Sequence, residues 1–392
     1  MIGGKVVEDT ENNLEFSREE DVEVRFPKID EAIIEKIRDS RENLDDLTLD
    51  EIISFYSEVG ELWEDESYRL REKAEEIARL STGYSASMIE QSFDNFVDFL
   101  REDPLRRTVK GEIGDEEYLD EWVKRGDVRV HLQPRGRILH VLAGNAPPVG
   151  PVSMIKSSLA KNSNVVKFPS GDPATPIFLA LSFRDVDETH PITKSTSVLY
   201  YDKNSEIEDK MISLSDGISV WGGQRAILSV REKADHATEI IEFGPRRGMQ
   251  FVGKEVFLND ERLEEVAKNA ARDLAIYDQN ACFSPQVAWV EENADEFCEK
   301  LTKEMDKVSE VIPKGYASEK AKAGISQEKS ISDFMGDEVY DPDSTEWTII
   351  KTDDVERTKN HPLGRTLYVI EVENLNEALE YVDESVQTVG VS

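Results

Sequence analysis

Between residues 137 and 244, short β-branched runs alternate with longer stretches whose apolar positions recur every three to four residues. Runs at 137–142, 164–168, 196–201, 218–221 and 238–243 predict strands, and the stretches at 149–160, 175–183, 207–214 and 225–233 predict helices. Five strands joined by four helices specify an α/β fold, an open parallel doubly wound sheet with right-handed crossovers. Such a sheet takes its ligand beyond the carboxyl ends of its strands. The residues there are Ala143-Gly144-Asn145-Ala146-Pro147-Pro148, Pro169-Ser170-Gly171-Asp172, Trp221-Gly222-Gly223 and Gly244-Pro245-Arg246-Arg247.

The chain ahead of this sheet reads as mostly helical. Thr48-Leu49-Asp50-Glu51 is a capping box leading into Ile52, Ile53, Tyr56, Val59 and Trp63, a single helical face. Ser87 and Glu90 repeat the device ahead of Phe93, Phe96, Val97 and Leu100, and Pro104 is expected to close that helix. These stripes read as core. Beyond residue 282, a helix is expected over 295–308, strands near 347–350 and 365–372, and a surface excursion in the acidic segment 330–344. No internal repeat is evident. The resulting division is a helical segment over 1–125, a nucleotide-binding domain over 126–245 and a second α/β domain over 246–392 carrying the chemistry.

That chemistry centres on Cys282, which sits in Ile276-Tyr277-Asp278-Gln279-Asn280-Ala281-Cys282-Phe283-Ser284-Pro285-Gln286, a polar, turn-forming run in a chain with 2 cysteines. A loop thiol suits covalent catalysis, because the thiolate is the strongest side-chain nucleophile near neutral pH. An incidental half-buried thiol is the other reading. No Gly-x-Gly-x-x-Gly follows the first strand, so the common dinucleotide fingerprint is absent. Gly222 and Gly223, opening a helix, still let backbone N–H groups approach a diphosphate.

In order and spacing, Gly144-Asn145-Ala146-Pro147-Pro148, Val165-Val166-Lys167-Phe168-Pro169-Ser170, Trp221-Gly222-Gly223, Glu242-Phe243-Gly244 and Cys282 resemble the aldehyde dehydrogenase superfamily. Leu142-Ala143-Gly144-Asn145-Ala146-Pro147, Val220-Trp221-Gly222-Gly223, Asp278-Gln279-Asn280-Ala281-Cys282-Phe283-Ser284-Pro285 and Gln387-Thr388-Val389-Gly390 narrow the resemblance to the LuxC family of acyl-CoA reductases, whose bacterial members supply fatty aldehyde for luminescence. It runs from about Leu44 to the end of the chain.

The resemblance implies that Cys282 attacks the thioester carbonyl of an acyl-CoA or acyl-protein and that its backbone N–H and the Asn145 amide hold the oxyanion. Read alone, Asn145 also suits the cap of the helix that starts at Pro147 or Pro148. Lys167 matches the lysine that holds the adenosine ribose or its 2′-phosphate; read alone, it is a solvated strand-end lysine. Ser170 stands where NAD-preferring members carry a glutamate, so NADPH is the expected coenzyme, with NADH possible. Gly222, Gly223 and Gly244 fall at matching coenzyme-binding positions. Glu242 matches the glutamate that activates water in hydrolytic members; in a reductase it would carry the thiol proton or a proton for the aldehyde. Arg246 and Arg247 are solvated loop arginines or add charge near coenzyme or CoA phosphates.

Two departures stand against the family pattern. A glutamate is usual where this chain has Asn360-His361-Pro362-Leu363-Gly364-Arg365, and relatives continue beyond the point matching Ser392. A fragment or natural truncation is therefore expected, with a homo-oligomer expected of a full-length chain. The alternatives are a hydrolytic NAD(P)-dependent aldehyde dehydrogenase using Glu242 and a non-catalytic nucleotide-binding remnant.

Composition bounds the rest. Few cysteines, no charged-then-apolar N-terminus and no apolar run of about 20 residues point to the cytoplasm without a membrane span. The 5 histidines are scattered, and Cys298 lies in a helical pattern beside Glu296, Glu299 and Lys300, so no zinc-ligand spacing exists. His140, inside a strand pattern, reads as a core residue. With 82 acidic against 47 basic residues the formal net charge is −35, which disfavours nucleic-acid binding. Such an excess is best matched to a high-salt cytoplasm; an acidic protein of an ordinary cytoplasm and a surface for a basic partner are the alternatives. Thermal midpoints near neutral pH should accordingly rise with added KCl, most steeply while the Debye length shrinks from about 30 Å at 0.01 M to about 10 Å at 0.1 M. A midpoint that stays flat or falls, against a sugar-osmolyte control, would return the acidic surface to the basic-partner reading.

Overall fold

The structure, a computed structural model, describes residues 1–7, 12–17, 21–40 and 44–392. They form two compact units: Met1–Thr82 with Ile89–Gly244, and Gly83–Met88 with Pro245–Ser392.

In unit one, an antiparallel pair β1 (Asn12–Ser17) and β2 (Asp21–Phe26) precedes α1 (Glu31–Asp39), α2 (Leu49–Glu64), α3 (Arg69–Thr82), α4 (Ala86–Leu100), of which the residues up to Met88 belong to unit two, and α5 (Glu102–Glu112). A second antiparallel pair, β3 (Val123–Arg125) and β4 (Val128–Val130), follows. Neither pair is among the elements expected from the sequence. The capping box on α2 is formed: the Thr48 hydroxyl accepts from the Glu51 N–H, and the Glu51 carboxylate accepts from the Thr48 N–H. Its stripe buries Ile52, Ile53, Tyr56, Val59 and Trp63. The second proposed box is displaced by two residues. Ser85, not Ser87, accepts from the Met88 N–H at 3.4 Å, since the helix already begins at Ala86. Pro104 lies in the first turn of α5 rather than after α4, a place where a missing N–H costs nothing.

The sheet of unit one contains β5 (Arg137–Val141), β6 (Ser163–Lys167), β7 (Thr196–Leu199), β8 (Gly217–Trp221) and β9 (Glu239–Phe243), in spatial order β7-β6-β5-β8-β9 with every pair parallel. Order reverses at β5, so the doubly wound topology read from the alternation is present. Between the strands run α6 (Val149–Leu159), α7 (Thr175–Asp187), the short α8 (Pro191–Lys194), α9 (Glu206–Ser213) and α10 (Gln224–Lys233). Every residue of β6 and β7 is buried, as expected of strands covered on both faces.

Across this sheet runs a buried polar chain. Trp221 Nε1 donates to Ser219 Oγ at 3.0 Å, Ser219 and Ser153 share a 3.0 Å bond, and Ser153 meets His140 Nδ1 at 2.9 Å. His140 Nε2 then meets Asn164 Oδ1 at 2.9 Å, while Ser158 Oγ accepts from Asn164 Nδ2 and from the Tyr56 hydroxyl, each at 2.8 Å. His140 is thus a satisfied core residue, and burial lowers its pKa to about 4.

Unit two is built on β10 (Arg247–Val252), β11 (Pro285–Glu291), β12 (Glu338–Tyr340), β13 (Thr348–Lys351), β14 (Thr366–Val372) and β15 (Val386–Val391). The order is β12-β13-β14-β11-β10-β15, parallel throughout except for the antiparallel edge strand β12. Leu367 and Val369 join a core with α11 (Asp260–Ala275) and α12 (Ala294–Val311), whereas Tyr368 and Ile370 face a second core around Trp289 and Ile350. The segment 330–344 is corrected: α13 (Glu319–Met335) runs to Met335, Gly336 closes it in the left-handed region at φ 85°, and Glu338–Tyr340 is a strand. The polar composition hid this, because α13 buries only Ile325 and Ser332. Among the described residues, no helix is long and apolar enough to cross a membrane.

Buried neutral His140 makes a prediction about acid. Its folded pKa of about 4 lies below the unfolded value of about 6.5, so its contribution is complete above pH 6.5. As pH falls towards 4 the unfolded chain takes up the proton and native stability drops by about 1.4 kcal/mol per pH unit from this group. His140→Asn should be the less stable protein at pH 7, with the gap to wild type narrowing between pH 6.5 and 4 in urea titrations.

Candidate active site

Cys282 lies in unit two on the turn that joins α11 to β11. Leading into it, Tyr277, Asp278 and Gln279 hold left-handed backbone at φ 52°, 47° and 67°, a conformation uncommon outside glycine. Side chains hold this bend in place. Arg365 donates from Nε to Asp278 Oδ1 at 2.8 Å and brings Nη2 to 2.7 Å from the same oxygen, while the Gly315 N–H reaches Asp278 Oδ2 at 3.0 Å. The Gln279 amide accepts from the Thr366 N–H at 3.0 Å and donates to the Thr366 and Pro285 carbonyls. Arg365, Asp278 and Gln279 are all buried.

The Ser284 N–H donates to Ala281 O at 3.0 Å, closing a four-residue turn with Cys282 and Phe283 at its centre. Gly248 on β10 fastens the far end, donating to Ser284 O at 3.0 Å. A Cβ on Gly248 would stand 2.2 Å from Phe283 O, so only glycine permits this approach. The thiol is half-buried. Burial raises its pKa above the ordinary value, opposed by its own backbone N–H, by the positive charge of Arg246 and by the Phe283 N–H. Arg246 is exposed, as a loop arginine should be; it donates to Glu384 O at 2.6 Å, and its charge bears on Cys282. Cys298 belongs to the core of unit two, where burial pushes its thiol to about 12.

The other residues singled out from the sequence lie in unit one, at the carboxyl edge of its sheet. Exposed Asn145 follows β5, and α6 begins behind Pro148, so Asn145 does not cap that helix. A Cβ on Gly144 would come within 2.9 Å of Gly171 and Asp172, which packs the loops after β5 and β6 together. Lys167, read from the residues as a solvated lysine, is instead 4% exposed. Its ammonium lies 5.0 Å and 5.6 Å from the ring centres of Tyr200 and Tyr201, and burial lowers its pKa to about 8. Ser170 is exposed three residues on. Gly222 and Gly223 join β8 to α10, and Gly223 is an N-cap without a side-chain acceptor, leaving first-turn N–H groups for another ligand. Trp221 stacks on Phe243 at 3.8 Å, Gly244 ends β9, and Glu242 faces Arg231, whose Nε and Nη2 both bind its carboxylate.

In the sequence, Asp278 and Gln279 stand in the run around Cys282 without a role of their own, and Arg365 reads as the start of a strand and as part of a departure from the family pattern. His361, in that same stretch, is a neutral imidazole: Nδ1 accepts from the Leu363 N–H at 2.9 Å, Nε2 donates to Gln286 O at 3.2 Å, and burial lowers its pKa to about 3. The available signal was a polar pair immediately before a loop cysteine. Its partner could not be read from spacing.

The fold is that of an aldehyde dehydrogenase. Aldehyde dehydrogenase 21 from Physcomitrella patens superposes with a TM-score of 0.77 at 14% identity, covering 100% of this chain and 89% of that one. An NAD-dependent benzaldehyde dehydrogenase from Corynebacterium glutamicum gives 0.76 at 16%, covering 100% and 88%. Residues 44–392 match the acyl-CoA reductase (LuxC) family, and the chain belongs to it. Its relatives include the long-chain acyl-protein thioester reductase of Aliivibrio fischeri, 31% identical over 100% of this chain and 82% of its own length, and that of Vibrio harveyi, 31% identical over 98% and 80%.

Proposed function

We propose that this protein reduces a long-chain fatty-acyl thioester to the aldehyde through an acyl group carried on Cys282. The observation that carries the reading is the Cys282 turn, a half-buried thiol at the centre of a turn held by a buried framework, whose own and following backbone N–H groups oppose the rise in pKa that burial causes, in a chain of the acyl-CoA reductase family. Named relatives are acyl-protein thioester reductases, so the donor is a fatty-acyl thioester of a protein or of CoA.

The thiolate adds to the thioester carbonyl, the donor thiol departs, and the acyl group remains on sulfur. Backbone N–H groups at the turn would hold the oxygen that gains charge, with the Asn145 amide assigned the second donor role by family resemblance. A coenzyme of the nicotinamide type, the kind named for related folds, would supply the two reducing electrons when bound. The carboxyl edge of unit one fits it. Among the described residues no carboxylate forms an ion pair with buried Lys167, Ser170 offers a hydroxyl where a carboxylate would repel a 2′-phosphate, and the uncapped α10 N-terminus behind Gly222 and Gly223 suits a diphosphate. Gly244 completes that edge. Glu242 is assigned to proton transfer, which requires its carboxylate to leave Arg231. The reading is NADPH-dependent reduction, without hydrolysis of the acyl-enzyme.

Mass spectrometry of protein incubated with long-chain acyl-CoAs and acylated carrier proteins tests the nucleophile. Wild type and Cys298→Ala should acquire one acyl group on Cys282 and release aldehyde once NADPH is added. Cys282→Ala should do neither while NADPH affinity stays within about twofold. Aldehyde formation by Cys282→Ala would overturn the mechanism.

Ser170→Glu should raise the Kd for NADPH relative to NADH by about tenfold, the equivalent of about 1.4 kcal/mol. An unchanged preference would place this strand end away from the ribose and remove Lys167 from the site.

A further inference from the structure

Two stretches of left-handed backbone meet beneath Cys282. One is Tyr277-Asp278-Gln279; the other is Leu363-Gly364-Arg365, at φ 61°, 65° and 61°. Five of the six residues carry side chains, so neither stretch is a conformation the local sequence prefers. Each persists because the surroundings over-determine it. They are joined, across 87 positions of sequence, by Arg365 on Asp278 and, one residue further along each stretch, by Gln279 on Thr366. Lys314 clamps the second stretch from behind, donating to Gly364 O at 2.8 Å and to Thr345 O. Gly315 leaves no slack on the Asp278 side: a Cβ there would meet Gly83 O at 2.3 Å and Asp278 Oδ2 at 3.0 Å.

The bend at 277–279 sets the direction in which the chain enters the turn at 281–284. We propose that the Asp278–Arg365 pair is a positioning device for the thioester chemistry, aiming the backbone N–H groups of Cys282 and Phe283 at the oxyanion formed on Cys282. This rests on the reading of Cys282 as nucleophile. In the step concerned, sulfur forms a bond to the carbonyl carbon and the π electrons of the carbonyl move to oxygen. Re-formation of the carbonyl then breaks the bond to the donor sulfur, which leaves as a thiolate and takes a proton from solvent. The same N–H groups also bear on the thiol, but the carbonyl oxygen gains its full charge only in this step, so mis-aiming them slows acylation more than it slows attack by the fully formed thiolate on a carbon that yields no oxyanion.

Alkylation separates the two effects, because iodoacetamide is displaced at a saturated carbon and forms no oxyanion. In a Cys298→Ala background, Asp278→Asn and Arg365→Lys are compared with the parent for the pH profile of Cys282 alkylation, the rate of acylation by a long-chain acyl-CoA and the thermal midpoint. Acylation should slow about tenfold or more in Asp278→Asn, short of the roughly 10²–10³ lost when an oxyanion donor is removed outright, while the alkylation rate on the high-pH plateau, where the thiol is ionised in both proteins, stays within about twofold. Arg365→Lys keeps the charge and loses one of two contacts, so it is the variant better able to fold should Asp278→Asn fail; a loss of about threefold or more in acylation alone is expected. Equal loss of alkylation and acylation, or no loss of acylation in a folded variant, overturns the proposal. Absence of acylation in the parent overturns the functional reading itself, and the parent control distinguishes that result from failure in the variants alone.

Discussion

A guanidinium and a carboxylate, both withdrawn from water, hold the bend that leads into the Cys282 turn of unit two. Arg365 is fully buried and Asp278 nearly so. Removing two such charges from solvent costs several kcal/mol each, and the cost is recovered only when geometry and additional hydrogen bonds are good. Here the second carboxylate oxygen takes the Gly315 N–H, and Gln279 adds bonds to the backbone at both Thr366 and Pro285. The network spans β11, β14 and the chain before Cys282, so the turn inherits the rigidity of the sheet. A loop thiol without such support would lose orientation, to which catalysis by pre-aimed donors is sensitive.

Unit one solves a different problem with the same means. Its carboxyl edge exposes polar groups such as Asn145 and Ser170 while the strands behind are buried. The hydrogen-bond chain from Trp221 through Ser219, Ser153, His140, Asn164 and Ser158 to Tyr56 satisfies the polar groups inside the sheet, keeping His140 neutral. Trp221, one end of that chain, directly precedes Gly222 and Gly223. Lys167 sits at the same edge, a partly desolvated cation packed near two tyrosine rings.

Much of this was legible in the sequence because the relevant signals are local. Alternation of β-branched runs with helical periodicity locates the five strands of the parallel sheet of unit one to within two residues at either end, though not its two antiparallel pairs, and the Thr48–Glu51 box is formed as expected. Misreadings came where composition masked periodicity or where two equivalent signals competed. Ser85 and Ser87 both suit an N-cap, and the backbone geometry selected the former. The acidic run after residue 330 looked like loop because its helix buries little.

The sequence by itself determined the doubly wound sheet, the polar turn around Cys282 and the family to which the chain belongs, since each is written in residues close together along the chain. Tertiary structure alone decided that Lys167 is buried, that Glu242 faces Arg231, and that Asp278 and Gln279 are pinned by residues 87 positions away. The physical reason is that left-handed backbone at tyrosine, aspartate and glutamine has no local preference behind it. It is stable only after distant strands have brought its partners into place.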